Sequence, residues 1–337
     1  MILAPAVLWS QDSLLTITAE KGDGVLSLLR KQGVDPYQYY DEFIHLNKEN
    51  LRDSVHLYAG ATYQLPPAII DTLAQAHIAL GKETQKDNEG EEVLRFPIFG
   101  PDKEVVDMKS DRLKGTIYYL VSGHGGPDPG AMAEYEGQWI SEDEYAYDIT
   151  LRLAHELLSH GATVYVIIRD DDGIRDERIL EMDRDEVAYP DLEIPLNQVA
   201  RLRQRVAIVN ELYKENKGKY QRLIVTHVDS RSVGENIDVF FYHHEKSQNG
   251  KQLAESIHKT FLANYKKYQP NRTYSGTFED RTSLYLVKKT HPAMTFIEIG
   301  NIKNKKDQKR ILEPDNRQAL AKWISEGILL DFEGDTN

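Results

Sequence analysis

From about residue 115 onwards, short apolar runs alternate with longer stretches whose apolar residues recur at helical spacing. Ile117 to Val121 is an unbroken apolar run, the pattern of a strand covered on both faces. Tyr145 to Leu158 has a helical pattern, Thr163 to Ile168 is a strand, Leu196 to Tyr213 a helix and Leu223 to Val228 a strand. Val239 to Tyr242, Leu284 to Val287 and Thr295 to Ile299 read as further strands. This alternation predicts an α/β fold: a mixed, mostly parallel sheet flanked by helices.

The first 66 residues follow a different rhythm. A strand-like stretch, Leu14 to Ala19, precedes Lys21-Gly22-Asp23-Gly24. Val25, Leu28 and Leu29 then share one helical face, and a second helix spans Pro36 to Leu46, ending near Asn47. Leu57 to Pro66 reads as a turn and a closing strand. Residues 14–66 are therefore expected to form a small α+β module, and 67–114 a connector, with a highly charged stretch from Lys82 to Glu92. Residues 1–13 hold a short apolar run, Met1 to Trp9, with no basic residue before it. It reads either as the remnant of an export signal or as a buried N-terminal strand. No run reaches the roughly 18 apolar residues of a membrane helix. Asp170 to Glu193 interrupts the α/β alternation. It is very acidic and reads as an inserted loop or lid, or as a plain solvated excursion.

Composition narrows the chemistry. The net charge of −13 argues against a nucleic-acid partner, because phosphate binding needs a basic face. The absence of cysteine removes disulfides, thiol nucleophiles and thiolate metal sites, so any metal must use His, Asp or Glu.

Four features gather at strand ends and helix starts. Gly123-His124-Gly125-Gly126-Pro127-Asp128-Pro129-Gly130-Ala131 directly follows an apolar strand, where ligands of open α/β sheets collect. His227 ends the Leu223–Val225 run in the same manner. Glu298 sits inside the apolar run Phe296 to Ile299, where an unpaired carboxylate is costly. Glu142-Asp143-Glu144 opens the helix after the glycine turn. Each feature alone is more simply structural. Together, two imidazoles and a carboxylate make a zinc site with one open position, and a further carboxylate can act as general base.

Residues 115–330 resemble the zinc-dependent N-acetylmuramoyl-L-alanine amidases. The resemblance rests on Gly123 to Ala131, Arg205 with Ala207 to Asn210, Thr226-His227, and Pro292 to Asn304 followed by Asp307 and Leu312. It implies His124, Glu142 and His227 as ligands of Zn2+ and Glu298 as catalytic base. Counting back from Asp148 to Leu153 favours Glu142, with Glu144 as the alternative. Three departures stand out: a long segment between Arg169 and Arg203, Asp229 where Asn is common, and Asn301 in place of an aromatic. Residues 14–66 resemble a LysM domain, through Lys21-Gly22-Asp23, the Asn47 loop and the Gly60 to Pro66 ending.

The resemblance implies an exported enzyme of the periplasm or cell envelope. It would hydrolyse the amide between N-acetylmuramic acid and L-alanine in peptidoglycan, with a glycan-binding module attached. Two other readings stay open: a non-catalytic peptidoglycan-binding protein with a degenerate amidase fold, and a zinc peptidase of other specificity. The need for a protein activator is open as well. Arg281, ahead of a strand, is a candidate contact for a substrate carboxylate, though a surface ion pair explains it equally. His155 and His160 are five apart, about 140° around a helix, so they do not form the two-histidine helical metal motif and read as helix surface. The Gly-x-Ser-x-Gly turn that an esterase reading of His124-Gly125-Gly126 requires is missing from the chain. His243-His244 point to opposite faces of a strand.

Overall fold

The computed structural model describes residues 16–30, 36–53, 55–66, 83–86, 92–230 and 238–335. The chain divides into two compact units, Met1–His77 and Ile78–Asn337. The expectations for residues 1–13 and for most of 67–91 fall outside the described residues.

In the first unit, strands β1 (Thr16–Thr18) and β2 (Thr62–Gln64) pair antiparallel, with Ile17 opposite Tyr63. Helices α1 (Val25–Arg30) and α2 (Pro36–Leu46) lie between them in sequence. Leu28, Leu29, Phe43, Tyr63 and Leu65 form its core. Asn47 is buried and bonds like a short strand. Its amide donates to the carbonyls of Phe43 (2.9 Å) and Gln64 (2.8 Å), and its Oδ1 accepts from the N–H of Gln64 (2.7 Å). Among the described residues of 16–66, a strand, two helices and a closing strand follow one another.

The second unit opens with two short paired strands, β3 (Glu83–Lys86) and β4 (Glu92–Arg95). Its frame is a six-stranded sheet. The strands are β5 (Thr116–Ser122), β8 (Thr163–Val166), β12 (Tyr220–Asp229), β13 (Val239–His243), β14 (Phe278–Asp280) and β15 (Ala293–Asn301), in the order β14-β13-β15-β12-β5-β8. β15, β12, β5 and β8 run parallel, and β13 turns antiparallel to β15. Every residue of β5 is buried, as its apolar run predicts. Alternate residues of these strands, among them Leu120, Ile224 and Ile297, pack on three helices: α3 (Glu142–Ser159), α5 (Gln248–Tyr268) and α8 (Pro314–Asp335). On the other face α4 (Gln198–Glu215) docks, with Gln221 Nε2 donating to the carbonyls of Tyr213 and Asn216. Side chains cap the helix starts: Asn197 accepts from Ala200 N–H, and Ser247 from Gly250 N–H. Among the described residues no helix is long and apolar enough to cross a membrane.

One element differs in type. Leu284 to Val287 reads as a strand by its apolar run, but the chain forms a short helix there, α6 (Tyr285–Lys289). Four apolar residues cannot discriminate strand from helix. Lys288 and Lys289 sit favourably at a helix C-terminus, and Pro292 lies just beyond, where helices commonly stop. The helices α5, α7 (Lys305–Leu312) and α8 are not among the elements expected above, although Leu253, Ile257, Phe261 and Tyr265 of α5 recur at helical spacing.

The acidic segment is anchored to the body of the unit. β9 (Ile168–Arg169), β10 (Val187–Ala188) and β11 (Leu192–Glu193) form a small sheet. Leu180 is buried, and Arg317 Nη2 donates to the carbonyls of Arg175 and Glu177. A solvated excursion is therefore not what forms.

Candidate metal centre

Three chain segments meet beyond the carboxyl edge of the sheet, where parallel strands leave their ends open. β5 runs into the glycine turn, β12 brings His227, and α3 starts at Glu142 after the hairpin of β6 (Met132–Tyr135) and β7 (Gln138–Ser141). The N–H of Gly123 donates to Thr226 O (2.7 Å), which ties the turn to β12.

His124 lies at φ +63°, a conformation that costs a side-chain-bearing residue about 1–2 kcal/mol. The surroundings impose it. The buried Arg205 donates from Nη2 to the carbonyl of His124, and Gly126 N–H donates to Glu186 Oε2 at 2.7 Å.

Glu142 stands between the imidazoles. Its Oε1 lies 2.8 Å from His227 Nδ1 and accepts from Val228 N–H at 3.1 Å. Its Oε2 lies 3.2 Å from His124 Nε2 and accepts from Ala131 N–H at 2.9 Å. One ligand atom from each of the three residues fits within 4.8 Å of the others. Ligand bonds of about 2.0–2.2 Å in a tetrahedral zinc site put ligand atoms about 3.3–3.5 Å apart, so the donor set and its spacing fit such an ion after small adjustments. The backbone leaves room only by lacking side chains. A Cβ on Gly123 would come within 2.4 Å of the His227 ring, and one on Gly130 within 2.6 Å of His124 and 2.8 Å of Glu142 Oε2.

The electrostatics call for positive charge at this point. Burial disfavours a protonated His124, yet Asp128 and Glu142 override it and hold its pKa at about 10. Burial keeps His227 below the usual imidazole range despite Glu142. Burial opposes ionisation of Glu142 too, but both imidazoles hold it well below the carboxylate range. A proton on His124 or a divalent cation meets the same demand.

A second layer of contacts orients the imidazoles. Asp128 Oδ2 lies 3.1 Å from His124 Nδ1 and 2.6 Å from Arg201 Nη2, which turns Nε2 toward Glu142. Phe296 stacks on His227 with ring centroids 4.5 Å apart and planes 16° from parallel. Glu298 pairs in register with His227 on the neighbouring parallel strand, so both project from the same face, which Phe296 also shares. Glu298 is half-buried.

The sequence-derived candidates are therefore sorted by the fold. His124, Glu142 and His227 converge, and Glu298 stands at the same register as His227. Glu144 turns away, accepting from Arg175 Nη2 (2.6 Å) and Asp183 N–H (3.2 Å). Arg281 is exposed, with its guanidinium 4.9 Å from the Tyr242 ring centroid. That ring in turn lies 6.3 Å from Phe296, so Arg281 is at the far end of an aromatic row and away from the three converging residues. His155 and His160 do not approach the centre: His155 Nε2 lies 3.2 Å from Val105 O and His160 Nδ1 2.7 Å from Ser110 Oγ. Asn210 clamps the approach to β15, donating to Lys289 O (3.0 Å) and accepting from His291 N–H (2.7 Å). Asp128, Arg201, Glu186 and Phe296 were not among the sequence-derived candidates. Only Asp128 carried a signal there, four residues after His124 in the same motif.

A family model described as N-acetylmuramoyl-L-alanine amidase matches residues 119–329. Among solved structures, the CwlD amidase from Clostridioides difficile, in complex with the GerS lipoprotein, is similar at 20% identity and TM-score 0.49. That match covers 65% of this chain and 99% of that one. Amidase AmiC2 of Nostoc punctiforme is similar at 21% identity and TM-score 0.45, over 66% of this chain and 97% of that one. Cwp6 from Clostridium difficile is similar at 21% identity and TM-score 0.47, over 64% of this chain and 29% of that one. No curated protein matches.

Proposed function

Because the chain belongs to the N-acetylmuramoyl-L-alanine amidase family, we propose that it hydrolyses the amide between N-acetylmuramic acid and L-alanine in peptidoglycan, as a zinc enzyme. The observation that carries this reading is the convergence of His124, Glu142 and His227, with Glu298 in register beside His227. Those three residues would hold the zinc. The chemistry such an ion supplies is Lewis acidity, the polarisation of a carbonyl and the acidification of a water.

The chain's own residues do the rest. Glu298 accepts a proton from the attacking water as its oxygen bonds to the lactyl carbonyl carbon. It returns that proton to the nitrogen of L-alanine as the C–N bond breaks, so the products are a free muramic carboxylate and a free stem-peptide amine. Asp128 and Arg201 hold His124 in orientation, and Phe296 does the same for His227. Arg281, exposed beside Tyr242 at the far end of the aromatic row, would meet a carboxylate on a distal part of the stem peptide. Residues 14–66 would supply glycan recognition as a LysM-like module. A substrate of this kind places the protein at the cell wall, in the periplasm or the wider envelope.

The test is digestion of purified sacculi, followed by mass spectrometry of the released stem peptides. Zinc-loaded protein is expected to release peptides beginning with free L-alanine, and a chelator to abolish release. Glu298→Gln is expected to keep zinc while losing about 10²–10⁴-fold in rate. Undiminished turnover in that variant, or cleavage that survives metal removal, overturns the reading. Binding of the sacculi without any cleavage by the zinc-loaded chain would leave only a glycan-binding protein.

A further inference from the structure

A second set of acidic groups lies behind the glycine turn, in the segment that lengthens the chain after β9. Asp170 and Glu186 are buried and Asp183 is half-buried, and each contributes a carboxylate oxygen to a group lying within 4.8 Å of one another. Asp170 is only 8% exposed. Its Oδ1 accepts from Asp172 N–H at 3.1 Å, but its Oδ2 is buried without a hydrogen-bond partner, as is Oδ1 of Asp183. Among the described residues no Lys or Arg pairs with Asp170, Asp183 or Glu186. Of the neighbouring cations, Arg175 is already engaged by Glu144 and Asp172, Arg169 by Asp191, and Arg205 by the carbonyl of His124.

Burying carboxylates with no counter-charge is costly. Without one, burial pushes Asp170 up to about 6 and Glu186 up to about 8. A cavity of about 370 Å³ opens beside Asp170, lined also by Asp171, Asp185 and Asp191 and by Arg169, whose guanidinium is taken up by Pro190 O and Asp191. The donors are all oxygens and include no imidazole, which favours a hard cation over zinc. Asp170 and Glu186 adjoin the paired strands β9 and β10, while Asp183 lies in the loop between them, a mixed support that suits the variable coordination of Ca2+ better than the strict octahedron of Mg2+.

We propose that Asp170, Asp183 and Glu186 form a second, all-oxygen cation site, selective for Ca2+, distinct from the His124–Glu142–His227 centre. Glu186 Oε2 also accepts the N–H of Gly126 (2.7 Å). An ion held here ties the acidic segment to the turn that carries His124. The inference goes beyond the amide-hydrolysis reading and stands on different residues.

The experiment uses the full chain, stripped with a chelator, desalted and titrated with CaCl2 by calorimetry, with the melting temperature followed in parallel. One Ca2+ per chain, bound with a Kd below about 1 mM, and a rise in melting temperature are expected. Asp170→Asn with Asp183→Asn should weaken Ca2+ binding at least tenfold. Should that double variant unfold, Asp183→Asn alone, at a half-buried position, should weaken it in the same direction. His227→Ala should bind Ca2+ as the parent does. Three results each overturn the proposal: no heat and no thermal shift up to about 10 mM Ca2+, equal binding by the Asn variants, or loss of Ca2+ binding in His227→Ala.

Discussion

Asp128 Oδ2 lies 3.1 Å from Nδ1 of His124, four residues earlier in the same glycine-rich turn. The contact decides which ring nitrogen is left to face Glu142. It is itself held by Arg201 at 2.6 Å. Carboxylate contacts of this kind to a ligand imidazole are commonly worth 10–100-fold in metal affinity. Asp128→Ala is therefore expected to weaken zinc binding by about 10–100-fold, and Arg201→Ala to weaken it less, because Asp128 remains. Competition against a chromogenic chelator measures both. Unchanged affinity in Asp128→Ala would show that the turn alone orients His124.

Gly130 separates two effects of glycine. At φ +68° an added Cβ would lie 2.6 Å from the His124 ring, whereas at Gly137 (φ +80°) it would meet nothing within 4 Å. Both alanine variants carry the same backbone strain, about 1–2 kcal/mol. Only Gly130→Ala should displace His124, with a loss of activity on the order of 10²-fold in a protein that still folds. Equal activity losses in the two variants would mean that strain, and not the clash, is what matters.

The candidate site was legible in the sequence because its residues sit in local patterns. His124 and His227 each follow an apolar run, and Glu298 lies inside one, so the burial of a costly group could be read from the run itself. Counting back along α3 favours Glu142 over Glu144, and the fold shows why the two differ. Two positions apart at a helix start, one reaches both imidazoles and the other reaches Arg175. Arg201 left no trace, since its contact with Asp128 spans 73 positions of sequence and arises only when α4 docks. The type of Leu284 to Val287 was illegible for a different reason. Four apolar residues fit either period, and the helix there is decided by its neighbours.

Asp148 is the electrostatic pivot of the second unit. It is fully buried on α3, with Oδ2 2.8 Å from Arg152 Nε and 2.6 Å from Arg317 Nε, and Oδ1 accepting from Arg175 N–H at 2.9 Å. Arg317, also fully buried, spends its remaining donors on the carbonyls of Ile311, Leu312, Arg175 and Glu177. One carboxylate thus joins α3, α8 and the start of the acidic segment. Asp148→Asn keeps the shape but leaves the buried guanidinium of Arg317 without its anion, while Arg152 retains Asp176 at 2.9 Å, and should destabilise the unit by about 3–5 kcal/mol. Chemical denaturation followed by circular dichroism measures the loss. A change below about 1 kcal/mol would mean that the carbonyl acceptors alone satisfy Arg317.

The acid side of the stability curve should depend on His155. Its ring lies edge-on to Phe99 at 5.2 Å between centroids, and its Nε2 is 3.2 Å from the carbonyl of Val105. Burial holds its pKa below the usual imidazole value of 6.5, and His160 shifts the same way. The unfolded chain therefore binds a proton more readily than the folded one. The stability that neutral His155 contributes is present above pH 6.5 and is lost as the pH falls from there through the lower folded value. His155→Gln keeps a donor for Val105 and cannot ionise. Its melting temperature should fall less than that of the parent between about pH 7 and pH 5, and adding His160→Gln should flatten the fall further. Calorimetric scans at both pH values make the comparison. Parallel curves for the parent and His155→Gln would place the acid sensitivity on other groups.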